Sequence, residues 1–234
     1  MKVILPQGDI ELHNIYKDPI LLVAGGRRPD AKWLKTVSDN KLVYAADRGV
    51  DYCVDSGLTV QTLYGDKDSA TPAKWEKGAK TAQVKTFPVA KDSTDLELIL
   101  ESVPPATLIL ATGIWGGRAD HLYANILTFV AWQRNKVGRV IMADDAEVMV
   151  FLGKKEHLFF EARQTPLAVS ILPFSQTAQV SINGVNWPLD HYEINGDKPG
   201  YTVSNTMTSN VIEVECQSGV VGLYLCFKQG EDHG

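Results

Sequence analysis

The sequence predicts two halves: an N-terminal Rossmann-like parallel α/β domain over residues 1–143, then a C-terminal antiparallel β-sandwich over residues 144–234. Three observations carry that expectation. The first half alternates short apolar runs with segments of helical period. The second half has short apolar runs separated by Gly, Pro, Asn and Asp, with no convincing helix. No repeat, low-complexity tract or flexible linker lies between them, so the halves are expected to pack directly.

In the first half, ILLVAGG (20–26) reads as a buried strand running into glycines. The segment after it has Asp30 as a candidate N-cap and Trp33, Leu34 and Val37 on one helical face. KLVYAAD (41–47) is the next strand, and GVDYCVDSG a short helix stopped by Gly57. TVQTLYGD and AQVKTFP give two further strands. DSTDLELILESV is a helix with Leu96, Ile99, Leu100 and Val103 on one face. ATLILATG (106–113) is a strand, DHLYANILTFVAWQRN a long helix, and GRVIMADD (138–145) closes the series. In the second half, EVMVFLG, HLFFEA, PLAVSILPF, AQVSINGV, YTVSN, VIEVECQ and VVGLYLCFK read as strands.

Bulk properties narrow the function classes. The 234 residues are 44% hydrophobic and 22% charged, as in ordinary globular proteins. A net charge of -5 argues against nucleic-acid binding as the main role. No apolar run reaches the roughly 18–20 residues of a membrane span, and the start MKVILPQGDIELHN lacks a signal pattern. Three cysteines without C-x-x-C spacing read as reduced thiols, so a cytoplasmic protein is expected.

The strand ends hold the chemistry. In an open parallel sheet, ligands bind at the carboxyl ends of the strands. Those ends read Gly25-Gly26-Arg27, Asp47-Arg48-Gly49, Gly65-Asp66-Lys67-Asp68-Ser69, Lys91-Asp92-Ser93-Thr94-Asp95 and Thr112-Gly113, the last followed by Gly116-Gly117-Arg118 and Asp120. Each has a bland reading. Gly65-Asp66 suits a turn, Thr94 and Glu97 a capping box, Asp47 a helix cap, Gly116-Gly117 a loop of positive φ, and Trp115 packing. The bland readings explain each piece and not the convergence of five segments on one edge.

Together the pieces suit a polyphosphate with a divalent cation. Mg²⁺ prefers carboxylate oxygens and shares its shell with phosphates. Asp66 and Asp68 are two apart, so both point the same way in an extended segment, and Asp95 could approach from a neighbouring strand end. Gly25, Gly26, Gly113, Gly116 and Gly117 would let backbone N–H groups reach phosphate oxygens, and Arg118 offers a planar fork. The P-loop and dinucleotide fingerprints are both missing.

In this order and spacing, AAD-R-G (45–49), GDKDS (65–69), KDSTDLE (91–97) and GxxGGRxDH (113–121) resemble the thiamine pyrophosphokinase family. SINGVNWPL (181–189) followed by VSNTM (203–207) resembles that family's C-terminal signature. The resemblance implies transfer of a pyrophosphoryl group from ATP to thiamine, giving thiamine diphosphate and AMP, in a homodimer whose active site lies between subunits. It implies Mg²⁺ at Asp66, Asp68 and Asp95, and ATP contacts from Gly25, Gly26, Asp47, Asp92, Thr94, Gly113, Gly116, Gly117, Arg118 and Asp120. It implies thiamine contacts from Trp187, Ser204 and Asn205. Asp95, then Asp68, is the expected base, and Arg118 the group that offsets charge on the transferred phosphates. Arg48 stands where the family commonly has glycine, and the first sixteen residues have no counterpart in the motifs. Two rivals remain: another Mg²⁺-dependent phosphotransferase or phosphohydrolase, and a non-catalytic sensor of thiamine or nucleotide.

Overall fold

The computed structural model describes residues 1–65, 68–86, 94–195 and 202–228. The chain forms two compact units, Tyr16–Asp144 on the one hand and Met1–Ile15 with Asp145–Gly234 on the other. It is a mixed α/β fold, rich in sheet and with few helices. Two short strands open the chain, β1 (Lys2–Leu5) and β2 (Gly8–Leu12), and belong to the second unit.

The first unit is built on six strands: β3 (Lys17–Val23), β4 (Leu42–Ala46), β5 (Thr62–Tyr64), β6 (Gln83–Lys85), β7 (Thr107–Thr112) and β8 (Arg139–Ala143). Their order is β8-β7-β3-β4-β5-β6, and the pairings are parallel. β7 and β8 are buried along their whole length, which is why TLILAT and RVIMA are nearly continuous apolar runs. The register brings the carboxyl ends level: Val23 pairs with Ala45 and with Thr112, Ala46 with Tyr64, and Tyr64 with Lys85. The chain leaves β3 toward β4 and returns to its other side as β7. The strand order therefore reverses at the β3–β7 junction, the kind of place at which open α/β sheets bind ligands.

Local signals fix the helices. In α1 (Ala31–Val37), Asp30 accepts from the amides of Lys32 and Trp33 at 3.0 and 2.9 Å, while Trp33, Leu34 and Val37 are buried. α2 (Gly49–Asp55) follows β4 after only two residues. α3 (Pro72–Ala79) begins with proline in its first turn, where a missing N–H costs nothing. That helix was not among the sequence expectations. α4 (Asp95–Glu101) carries the anticipated capping box: Thr94 Oγ1 accepts from the Glu97 amide, and Glu97 accepts from the Thr94 amide at 2.7 Å. α5 (Ala119–Lys136) is tied to α4 by Trp132, whose Nε1 donates to the Leu100 carbonyl at 2.9 Å.

The second unit adds β9 (Glu147–Leu152), β10 (Glu156–Ala162), β11 (Ala168–Pro173), β12 (Thr177–Asn183), β13 (Leu189–Asn195), β14 (Val211–Ser218) and β15 (Val221–Cys226). All pair antiparallel, in the orders β1-β2-β10-β14-β12-β13 and β11-β15-β9. Alternation sends Ile212, Val214 and Cys216 of β14, and Ala178, Val180 and Ile182 of β12, into the core. Its described residues contain no α-helix.

The structure differs from the sequence expectations in three places. Residues 1–15 do not join the parallel unit: β2 pairs with β10, and Arg163 fastens the hairpin by donating to the Leu5 carbonyl at 2.6 Å and to Asp9. Of the expected strand YTVSN, Tyr201 lies outside the described residues; residues 202–204 form no strand, and Asn205 makes one isolated bridge with Val169. LDHYEIN, which is not among the expected strands, forms β13 at an exposed sheet edge. Among the described residues no helix is long and apolar enough to cross a membrane.

Candidate functional site

The β3–β7 junction draws the strand ends together. The amides of Ala24 and Gly26 donate to the carbonyls of Thr112 and Gly113 at 2.8 and 2.7 Å, and the Arg27 amide donates to Trp115 O. The Gly25–Gly26 turn is thereby sewn to the loop after β7. From α2, the Tyr52 hydroxyl donates to the Gly26 carbonyl at 2.8 Å. Gly113, Gly116 and Gly117 all adopt left-handed φ, of 68°, 77° and 70°, as the loop reading required. Trp115 is 5% exposed and packs rather than projecting. At the end of β7 the Thr112 hydroxyl is buried with no hydrogen-bond partner among the described residues.

The next strand end contributes Asp47. Its φ of 51° is left-handed, a conformation aspartate tolerates better than most residues, and it turns the chain sharply from β4 into α2. The amide of Asp47 donates to Tyr64 O at 3.0 Å, which joins the ends of β4 and β5. Its carboxylate lies over Gly65: a Cβ at Gly65 would stand 2.1 Å from Asp47 Oδ1. Glycine at position 65 leaves room for that carboxylate above the end of β5.

Of the acids read as metal ligands, Asp68 is exposed and Asp95 is half-buried at the first turn of α4. Asp66 and Asp92 lie outside the described residues, as do Lys67, Lys91 and Ser93. The segment carrying Asp68 is anchored at its far end by Asp51, 8% exposed, which accepts from the Thr71 amide at 3.1 Å and the Thr71 hydroxyl at 2.6 Å. No local pattern announced Asp51, because its partner is twenty residues away. Thr94, the remaining residue of that loop, serves the capping box.

Arg118 and Asp120 stand at the start of α5, both well exposed, and clasp each other: Nε to Oδ1 at 3.1 Å and Nη2 to Oδ2 at 2.5 Å. The hydrogen bond from Arg118 holds the Asp120 carboxyl below its ordinary range, and the reverse contact raises the guanidinium. The fork is thus engaged at two nitrogens by a carboxylate of its own chain.

In the second unit the three residues read as thiamine contacts fall together. Asn205 accepts from the Trp187 amide at 3.1 Å and donates to the Trp187 carbonyl at 2.8 Å. Ser204, left-handed at φ 60°, donates its amide to Ser170 Oγ. Trp187 and Asn205 line a cavity of about 280 Å³ with Val169, Ile171, Leu189 and Thr202. Trp187 is 62% exposed, so one face of the ring is open to a flat ligand. The apolar wall from β11 and β13 was not read from sequence, since ordinary core residues make it.

Known proteins place this geometry in a family. A model described as thiamin pyrophosphokinase, catalytic domain, matches residues 33–141, and one described as thiamin pyrophosphokinase, vitamin B1 binding domain, matches residues 158–221. The thiamine pyrophosphokinase of Bacillus subtilis (strain 168) is 26% identical over 180 residues, which is 75% of this chain and 83% of that protein. A crystal structure of thiamine pyrophosphokinase from Bacillus subtilis matches with a TM-score of 0.77 at 24% identity, covering 90% of this chain and 100% of that one. The thiamin pyrophosphokinase of Candida albicans has the same fold, at a TM-score of 0.72 and 13% identity over 90% of each chain. Two models of one enzyme thus match in sequence order across well over half of the chain, and it belongs to the thiamin pyrophosphokinase family.

Proposed function

We propose that the level carboxyl ends of β3, β4, β5 and β7 form the ATP site of this chain, and that the cavity beside Trp187 takes thiamine. Family membership makes the protein a thiamine diphosphokinase, which moves a pyrophosphoryl group from ATP to thiamine and leaves AMP. The observation that carries the site proposal is the hydrogen-bonded junction of the Gly25–Arg27 and Gly113–Arg118 loops at the strand-order reversal. The first unit is read as Rossmann-like and the second as a β-sandwich.

In this reading the Gly25, Gly26, Gly113, Gly116 and Gly117 backbones approach the phosphates, and Asp47, Asp92 and Thr94 are further nucleotide contacts. Arg118 exchanges Asp120 for a phosphate oxygen when the nucleotide arrives. Asp66, Asp68 and Asp95 would hold Mg²⁺, for which an all-carboxylate donor set is chemically suited. Bound there, the ion would offset charge on the ATP oxygens during attack at the β-phosphorus. Asp95, with Asp68 as the second candidate, accepts the proton of thiamine's primary alcohol. Trp187 offers its face to the cationic ring system, and Asn205 and Ser204 fix the turn that holds it. A homodimer with the active site between subunits completes the proposal, and sedimentation of the purified protein tests it. The absence of a disulfide among the three cysteines fits a reducing compartment, the cytoplasm.

The deciding experiment is product analysis with thiamine, ATP and Mg²⁺. AMP and thiamine diphosphate should appear together and only with metal. ADP with thiamine monophosphate would point to one-phosphate transfer instead. Asp66→Asn should lower turnover by orders of magnitude; near-parental activity in a folded variant would sink the metal assignment.

A further inference from the structure

We infer that Arg27, held by the buried carboxylate of Asp144, is a positioning residue that sets the conformation of the Gly113–Arg118 loop for nucleotide binding. The inference rests on the ATP site proposed above. Arg27 follows the Gly25-Gly26 pair at the end of β3, and Asp144 follows β8 on the far side of β7. Asp144 is 1% exposed. Its Oδ2 accepts from Arg27 Nε at 2.9 Å and from Nη2 at 2.6 Å, so the guanidinium is clamped at two of its nitrogens.

The loop after β7 lies on that clamped side chain. The Arg27 guanidinium carbon is 5.8 Å from the centroid of the Trp115 ring, and the Arg27 amide donates to the Trp115 carbonyl. A Cβ built on Gly116 would stand 2.9 Å from Arg27 Cβ, so the loop backbone rests directly against the arginine stem. Asp144, Arg27, Trp115 and Gly116 form one continuous line of contacts, ending two residues before Arg118.

Such a brace has a physical purpose. With three left-handed glycines between 113 and 117, the loop has weak conformational preferences of its own. Its ordering must be imposed by neighbours, or be supplied by the ligand at a cost in affinity. A carboxylate that is 1% exposed and accepts from two nitrogens of one arginine limits how that side chain can turn. Arg27 acts here through the loop. Its expected signature is therefore on ATP affinity rather than on thiamine affinity or on the chemical step.

The test uses the full-length protein and the variants Arg27→Met, which keeps an unbranched apolar stem, and Asp144→Asn, which keeps the shape of the clamp. Hydrogen exchange of peptides spanning 113–118 is followed without ligand, and KM for ATP and for thiamine is measured with kcat. In both variants, exchange across the loop should quicken and KM for ATP should rise about tenfold, the scale of one lost charge-assisted hydrogen bond. KM for thiamine and kcat should stay near parental values. Arg27→Lys, which restores the charge but not the forked contact, should lie between. A folded Arg27→Met or Asp144→Asn protein with parental loop exchange and parental KM for ATP would overturn the inference. So would a fall in kcat with KM for ATP unchanged. A parent protein that makes no AMP would refute the reaction proposed above; the ligand-free exchange measurement decides the role of Arg27 by itself.

Discussion

Gly49→Ala sets two physical effects of opposite sign against each other. Gly49 is the first residue of α2, and alanine in place of a helical glycine ordinarily stabilises by up to about 1 kcal/mol. The structure predicts the reverse. A Cβ at position 49 would stand 2.0 Å from the Val23 carbonyl oxygen and 2.7 Å from its carbon. Ordinary contact distance is more than an ångström longer. The obstructing atoms are backbone of a strand flanked on both sides by hydrogen-bonded neighbours, so no side chain can rotate away. Relief requires α2 to lift off the end of β3, the kind of overpacking that costs about 3 kcal/mol at the upper end of its usual range. Set against the helical gain, the net loss is about 2 kcal/mol, or a fall in melting temperature of roughly 4–8 °C for a chain of this size. Urea unfolding followed by circular dichroism, with the slope held common to parent and variant, measures it. A Gly49→Ala protein as stable as its parent, or more so, would refute the packing argument and leave helix propensity as the governing term.

Two further predictions follow from buried carboxylates. Asp51→Ala should destabilise by about 2 kcal/mol, because it removes the charged acceptor of both the Thr71 amide and hydroxyl and with it the anchor at the start of α3. Asp51→Asn should cost about half as much, and equal urea midpoints for the two variants would discount the hydrogen bonds. At Asp9, burial favours the neutral acid, yet hydrogen bonds from Lys2 and Arg163 outweigh it and hold the carboxyl below its ordinary value of 3.8. A depressed carboxylate contributes stability that is present above the ordinary value and lost as pH falls through the lowered one. Stability should therefore decline in acid below about pH 3.8 more steeply in the parent than in Asp9→Asn. Identical slopes in a pH series of urea midpoints would count against a role for the Lys2–Asp9–Arg163 cluster.

Much of the parallel unit was legible because its signals are local. Apolar runs bounded by glycine marked β3, β4 and β7; Asp30 and the Thr94–Glu97 pair marked where α1 and α4 begin. The proposed site was read from the strand ends, where glycines and acids break the apolar pattern; of its acids, Asp66 and Asp92 lie outside the described residues. α3 escaped because PAKWEKGA buries only Trp75 and Gly78 and so has little apolar period. β13 escaped because an exposed edge strand needs no alternation, only a neighbour to pair with.

By itself the sequence determined the mixed α/β class and the family's reaction, and it supplied the residues proposed for the site, because periodicity, caps and motif spacing are properties of the chain over short distances. Only the tertiary structure decided what couples distant segments. It paired β2 with β10, joined Asp51 to Thr71, and set Arg27 between Asp144 and Trp115. It also gathered Trp187 and Asn205 beside the apolar residues of β11 and β13. Such contacts depend on strand register and on which loops meet at a sheet edge. Long-range closure fixes both, and no short window of residues encodes it.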